Sequence, residues 1–156
     1  MSTPTDTASD LRVDVRGPRF TAWVTTGVLV ATLVLSAVDP RAAAILLGAQ
    51  TVVFAVGALG GPRRHPYGVV FREMIAPRLG PVTDREPAAP LKFAQLVGFV
   101  FAAVGTIGFA ANWSAVGLIS TAFALFAAFL NAAFGICLGC KLYPLAARFR
   151  RVPTPA

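Results

Sequence analysis

Two cysteines carry the clearest chemistry that this sequence offers. Cys137 and Cys140 are its only cysteines, and they close a long apolar run. A CxxC spacing lets both sulfurs converge, so the pair can alternate between dithiol and disulfide, relay sulfur, or share one soft metal ion. Two small buried hydrophobic side chains are the alternative without chemistry. Secreted disulfide frameworks use more cysteines than this, which favours a cytosolic thiol pair.

The backbone around the pair decides whether it can oxidise. Residues three apart on an unbroken helix hold their Cβ atoms about 5–6 Å apart, whereas a disulfide requires about 3.8 Å. The helix must therefore loosen, and Gly135, Gly139 and Pro144 make local unwinding easier. We expect the pair at the C-terminus of a span, where the helix dipole disfavours a thiolate, unless a break at Gly135 starts a new helix under Cys137.

His65 and Lys141 are the supporting candidates. His65 follows the second apolar run, so an alternating topology brings it to the same membrane face as the cysteines, where it and Lys141 can favour a thiolate or pass a proton. The simpler interpretation of His65, which follows two arginines, is a solvated interfacial residue. As a metal site, Cys137, Cys140 and His65 supply three ligands and still require water, an acidic side chain of the central loop, or a second protomer.

Three amides and a glycine pair lie in the apolar runs. Gln50, Gln95 and Asn131 each need a hydrogen-bond partner inside the bilayer. Hydrogen bonding between helices is the preferred interpretation, and the alternatives are polar contacts close to the thiols or a path for a small solute. Gly57 and Gly61 form a GxxxG pattern, which predicts a close helix contact or is simply typical of membrane helices.

The composition places these residues in a membrane protein. The chain is 56% hydrophobic and only 13% charged, with a mean hydropathy of +0.68, which exceeds what a soluble core of this size requires. The formal charge of +7 comes from basic residues that flank apolar runs and are not interleaved with stacking aromatics, which argues against nucleic acid as a partner. No P-loop, GxSxG, HExxH or Rossmann fingerprint is present.

The apolar runs predict an all-α integral membrane bundle of four helices in two hairpins. Each run is long enough to cross about 30 Å of hydrocarbon, and the predicted spans cover residues 20–38, 42–61, 93–112 and 114–134. Together they make one domain over 11–149, between a disordered tail at 1–10 and a C-terminal tail at 150–156. The loop at 62–91 is predicted to hold a short interfacial helix broken at Pro77, then an irregular Pro-rich stretch. Residues 11–19 are interpreted as a short amphipathic segment or a solvated basic flank.

The basic residues set the predicted orientation. Of the fourteen lysines and arginines, only Arg41 falls in a predicted outer turn. The positive-inside rule therefore predicts a multi-pass membrane protein with both termini in the cytoplasm.

Several motifs together resemble a known family. They are VDVRxxRF from residue 13, HPYG from residue 65, EPxxPxKFAQ from residue 86 and NAAFGxCLGCxLY from residue 131. This pattern resembles the bacterial membrane family catalogued as domain of unknown function 4395. The resemblance covers nearly all of residues 11–149 and implies a small polytopic inner-membrane protein. It also implies thioredoxin-like or rhodanese-type sulfurtransferase partners, because such proteins are often encoded near members of the family.

The sequence therefore leaves two functions to weigh. In the first, Cys137 and Cys140 exchange electrons or sulfane sulfur with a cytosolic thioredoxin-like or sulfurtransferase partner, one cysteine attacking and the other resolving. A quinone in the bilayer is then a conceivable acceptor on location alone. In the second, the protein is a non-catalytic membrane subunit or small-solute carrier whose cysteines are structural or metal-bound. The cofactor is not specified, and a homo-oligomer stays open.

Overall fold

The computed structural model describes residues 12–150, except for the side chain of residue 150. The tails predicted at 1–10 and 150–156 lie outside the described residues, apart from the backbone of residue 150. The described elements are β1 (Arg12–Asp14), α1 (Arg16–Ser36), α2 (Pro40–Gly60), α3 (Pro66–Val70), β2 (Arg85–Pro87), α4 (Ala88–Ala110), α5 (Ser114–Phe134) and α6 (Leu138–Arg150).

Four of these helices are long and apolar enough to cross a membrane: α1, α2, α4 and α5. The chain is therefore a multi-pass membrane protein, and the prediction of an all-α bundle of four spanning helices is confirmed. In each hairpin, one very short turn joins the two helices. At one of them, Asp39 caps α2 by accepting from the backbone N–H groups of Arg41 and Ala42 at 2.9 and 3.2 Å, and Pro40 occupies the first turn, as helix starts prefer.

The spanning helices form a ring in the order α1, α2, α4, α5. Each packs against its two neighbours, and the connectivity makes neighbours antiparallel. The side chain of Arg19, near the start of α1, donates to the backbone carbonyls of Ala132 and Ala133 near the end of α5, at 3.3 and 3.4 Å. Both described chain ends and the long loop therefore lie at one end of the bundle, which we call the termini end. The opposite end, with the two short turns, is the turn end.

Small residues bring neighbouring helices close together at both ends of the bundle. A Cβ on Gly108 of α4 would lie only 2.6 Å from the backbone nitrogen of Gly117 on α5. Gly57 of α2 also lies in a tight contact, with Gln95 of α4. Gly61 does not continue that seam, because it follows the last residue of α2 with a φ of 75°. The close contact predicted from the GxxxG pattern therefore forms at Gly57 alone.

The termini end has more regular structure than predicted. β1 and β2 pair antiparallel, with Val13 opposite Glu86. The predictions of an amphipathic segment at residues 12–14 and of irregular structure at residues 85–87 were therefore wrong. Pro87 restricts Glu86 to extended backbone, which suits a strand. The helical segment predicted in the long loop is present: α3 continues as a π-helical turn and a 3₁₀ turn through residue 78.

Candidate functional site

The two cysteines are bonded to each other at the termini end. A disulfide joins Cys137 to Cys140, and their Cα atoms are 5.2 Å apart, inside the range that disulfides adopt. Both residues are partly buried, so neither sulfur is sealed inside the core.

The pair lies at the start of a helix and not at the C-terminus of the span, which is the alternative that a break at Gly135 predicted. Gly135 takes a left-handed conformation, with a φ of 68°, and ends α5, as glycine commonly does after a helix. The chain then begins α6, whose first backbone bond runs from the N–H of Lys141 to the carbonyl of Cys137 at 3.1 Å. The backbone N–H of Cys140 donates to Sγ of Cys137 at 3.2 Å. A helix N-terminus favours a thiolate, so Cys137 gains the stabilisation that thioredoxin-type cysteines have.

Gly139 seats this helix start on α4. A Cβ at Gly139 would lie 2.5 Å from Cα of Ala94 and 2.6 Å from its Cβ, so only glycine allows the approach. An edge contact between Phe93 and Tyr143, with ring centroids 6.0 Å apart, holds the next turn of α6 to α4. The sequence analysis treated Gly139 only as a source of flexibility and missed its packing role, whose one signal was its position between the cysteines.

A cavity of about 830 Å³ occupies the termini end of the bundle, lined mainly by α1, α4 and α5 and by Phe54 of α2. Cys137 lines it and Cys140 does not. His65, Gln95 and Asn131 line the same cavity, so three of the polar residues singled out from the sequence share one space with one sulfur of the pair.

His65 is buried and does not match the solvated residue suggested by its arginine neighbours. Its side chain is only 2% exposed, and it lies against Gly57 with Gln95 beside it. Neither ring nitrogen makes a hydrogen bond within the described part of the chain. Burial lowers the pKa of His65 to about 4, partly opposed by the neighbouring Gln95 amide. The imidazole is therefore neutral at physiological pH and has both a donor and an acceptor to offer.

A model of the family described as Domain of unknown function (DUF4395) matches residues 13–148. The chain belongs to this family. The resemblance read from the sequence motifs is thereby confirmed. No curated protein matches the chain. No solved structure matches it either.

The remaining candidates of this DUF4395 protein lie away from the cavity. Gln50 is buried and accepts a hydrogen bond from the hydroxyl of Tyr67 at 2.8 Å, which ties α2 to α3. Lys141 is exposed in the first turn of α6. Among residues 12–150, no group of three or more His, Cys, Asp or Glu side chains is arranged to hold a metal ion, so Cys137, Cys140 and His65 do not come together as the metal alternative required.

Charged residues surround the cavity of the DUF4395 protein on the side away from the spans. Exposed Arg12, Arg72 and Arg85 contribute to its lining. Asp14 also lines it, and the hydrogen bonds from Arg16 lower the pKa of that carboxyl. The roles of Arg12, Asp14 and Arg85 could not be predicted from the sequence, because they depend on the pairing of β1 with β2.

Proposed function

We propose that this DUF4395 protein is a membrane-embedded thiol–disulfide exchange protein of the plasma membrane, with its Cys137–Cys140 pair on the cytoplasmic side. The observation that carries the proposal is the disulfide at the N-terminus of α6. A pair with this spacing at a helix start has one sulfur suited to be a thiolate and a second within bonding distance to resolve it.

The orientation follows from the distribution of charge. Among residues 12–150, every lysine and arginine except Arg41 belongs to the termini end, and Arg41 lies at the turn end. The positive-inside rule therefore supports a termini end in the cytoplasm. The cysteines would then meet cytosolic thiol proteins and the glutathione pool.

The exchange has a preferred direction of attack. A thiolate of a reduced thioredoxin-like partner attacks Sγ of Cys140, the Cys137–Cys140 bond breaks, and Cys137 leaves as a thiolate that the Cys140 N–H stabilises. A second thiol of the partner then attacks the partner sulfur of the mixed disulfide and releases Cys140. The partner has lost two electrons and become a disulfide, and the pair has become a dithiol. Lys141, exposed beside Cys140, adds a positive charge that favours the thiolate form.

Sulfane-sulfur transfer would use the same residues. A rhodanese-type partner would hand its outer sulfur to the Cys137 thiolate, and Cys140 would then release that sulfur as hydrosulfide while closing the disulfide. We favour electron exchange, because a bonded pair is its oxidised product and needs no further acceptor of sulfur.

A second candidate function has one observation in its favour. The cavity with His65, Gln95 and Asn131 on its walls also suits a non-catalytic carrier or subunit that holds a small solute, with a structural disulfide. This alternative predicts that transport or assembly survives Cys137→Ser combined with Cys140→Ser, whereas the exchange proposal predicts complete loss of function.

The direct test mixes purified protein with reduced thioredoxin whose resolving cysteine is replaced by serine. After quenching with N-ethylmaleimide, peptide mapping should find thioredoxin on Cys140 and maleimide on Cys137. A rhodanese loaded with persulfide is run in parallel, and a persulfide on Cys137 would indicate sulfur transfer. No mixed disulfide and no persulfide, with the native disulfide retained, would contradict the proposal.

A further inference from the structure

Thiol exchange with a soluble partner does not use the cavity beside the pair. Its volume of about 830 Å³ falls in the range of roughly 300–1,000 Å³ that small-molecule sites occupy. Its walls come from all four spanning helices, α2 contributing only Phe54, and from the start of α6. A cavity of this size in a small helical bundle calls for a bound ligand or a structural explanation.

The cavity borders the lipid-facing surface of the bundle. Phe123 and Phe126 of α5 both line it, and each is 58% exposed. Phe101 of α4 stacks on Phe123 with ring centroids 5.8 Å apart, so two aromatic rings stand where α4 meets α5. Large apolar side chains exposed on a spanning helix face hydrocarbon, so a ligand can reach this cavity from the bilayer.

The polar groups inside the cavity lack partners. His65 is 2% exposed with both ring nitrogens unpaired, and the buried Oε1 of Gln95 is unpaired as well within the described residues. Buried polar atoms are nearly always hydrogen-bonded, and each exception calls for an explanation. His65 and Gln95 are uncharged, whereas the charged residues that line the cavity lie on its side away from the spans. The buried part of the cavity therefore suits a neutral group that has both donor and acceptor positions.

One sulfur of the pair shares this space. Cys137 lines the cavity, and it is the sulfur that the helix N-terminus favours as a thiolate. A cavity ligand therefore contacts the cysteine that leaves during exchange, while Cys140 stays available to the soluble partner. A phospholipid or fatty acid would fill the apolar part, but neither one can accept electrons from the sulfur.

We propose that the cavity binds a lipid-soluble quinone, which takes the two electrons that the Cys137–Cys140 pair receives from its soluble partner. The quinone is a neutral ring with two carbonyl oxygens and an apolar tail, which matches neutral polar groups, apolar walls and a bordering bilayer. This inference rests on the proposed thiol exchange and names its electron acceptor.

The step balances without another reactant. The Cys137 thiolate forms a bond to a ring carbon, and Cys140 then attacks Sγ of Cys137, which breaks the sulfur–carbon bond and forms the disulfide. The ring leaves with the electron pair, and the two protons lost by the thiols end on its two oxygens. One dithiol and one quinone become one disulfide and one quinol. Neutral His65 can carry a proton at the cavity wall.

The test separates binding from electron transfer. The full chain is purified into quinone-free nanodiscs, and ubiquinone-1 and menadione are the probes. The variant with both cysteines replaced by serine should show an unfolding temperature that rises with probe concentration. The reduced wild-type protein, under anaerobic conditions, should form one quinol for each disulfide regained. The quinone proposal is overturned if the unfolding temperature of the folded double variant does not rise with probe concentration, or if the wild-type dithiol is not oxidised.

A thioredoxin assay on the same samples tells the two proposals apart. A pair that exchanges with thioredoxin but not with either probe overturns the quinone as acceptor and leaves thiol exchange standing. A pair that transfers electrons to neither overturns both, even if a probe binds. Native mass spectrometry of the purified protein adds one outcome: a retained phospholipid that neither probe displaces overturns the quinone proposal.

Two glutamines give a matched pair of variants. Gln95→Leu should weaken probe binding about fivefold, the typical value of one hydrogen bond. It should lower the unfolding temperature of the empty protein only slightly, because Oε1 of Gln95 makes no well-aligned hydrogen bond, although Gln95 lies beside His65. Gln50→Leu makes the same change outside the cavity; it should lower that temperature through loss of the Tyr67 bond and leave probe affinity unchanged. Asn131→Leu serves as the second cavity variant. If Gln95→Leu and Gln50→Leu weaken probe binding equally, the probe does not bind in this cavity.

Discussion

The backbone N–H of Cys140 points at Sγ of Cys137 across 3.2 Å, so the first turn of α6 stabilises one sulfur of the pair in particular. This relationship exists because Gly135 ends α5 and lets a new helix begin at Leu138. The disulfide thus lies where a helix dipole favours a thiolate and next to a cavity in the bundle.

The unequal stabilisation predicts unequal reactivity of the two reduced thiols. In the folded, reduced protein Cys137 should be alkylated by iodoacetamide several times faster than Cys140, and the ratio should grow as the pH is lowered from 8 to 6, because only a stabilised thiolate persists there. Peptide mapping at short times measures the ratio. Protein unfolded in detergent is the control, in which the two rates should be equal; equal rates in the folded protein would contradict the assignment.

The close packing of α6 against α4 at Gly139 predicts that adding one methyl group there strongly lowers stability. Gly139→Ala places a Cβ 2.5 Å from Cα of Ala94, which pushes the helix start away and should destabilise the protein by about 1–3 kcal/mol, as overpacking does. Exchange with thioredoxin should slow at the same time, because the Cys137 loop moves with the helix.

Gly27→Ala is the matched control for that change, since a Cβ there meets nothing within 4 Å. It should leave exchange unaffected and stabilise α1 by up to about 1 kcal/mol, the difference in helix propensity between alanine and glycine. If both variants behave alike in unfolding and in exchange, the packing role of Gly139 is wrong.

Burial of His65 predicts a stability that depends on pH. Its pKa is about 4 in the folded protein against an ordinary 6.5, so between these values the unfolded chain binds more protons than the folded one. Stability is therefore full above pH 6.5 and falls as the pH drops toward 4, by about 3 kcal/mol at most, since each unit of pKa difference is worth about 1.4 kcal/mol.

Unfolding midpoints of the nanodisc-embedded protein between pH 4 and 7.5 measure this dependence. His65→Phe, which removes the titrating group and keeps a ring against Gly57, should flatten the curve in this window. An unchanged slope in that variant would assign the pH dependence to other groups. Glu86 is not among them, because burial raises the pKa of that carboxyl, so its protonation stabilises the folded protein as the pH falls.

The predicted orientation can be checked with a reagent that does not cross membranes. In inside-out vesicles a polyethylene glycol maleimide should label the reduced pair, and in right-side-out cells it should not. A single cysteine at Asn112→Cys, placed in the turn end of a protein without Cys137 and Cys140, should give the opposite pattern. Labelling of the pair from outside would reverse the topology and exclude cytosolic thiol proteins as partners.

The sequence was sufficient for the bundle because hydropathy is a local signal. Long uncharged runs separated by very short polar turns can only form antiparallel helical hairpins in a membrane, where every backbone group needs an internal partner. The family motifs in the same sequence predicted a family membership that covers residues 13–148.

The site could be predicted only in part because its decisive contacts are between distant segments. The residue types around Cys137 fit either the end of one helix or the start of another, and only the left-handed Gly135 selects the second. The burial of His65 depends on the absence of a side chain at Gly57 and on Gln95 from another helix. The pairing of β1 with β2 joins segments too short and too far apart in sequence to have a pattern of their own.

The central claim is that Cys137 and Cys140 form a reversible redox pair. The most direct measurement is a mass-shift alkylation of both thiols in native membranes equilibrated across a series of glutathione and dithiothreitol redox buffers. The account predicts a single reversible two-electron transition within the range of cellular thiol buffers, lost in Cys137→Ser and in Cys140→Ser. A pair that stays fully oxidised or fully reduced across the series would contradict it and leave the carrier function as the better account.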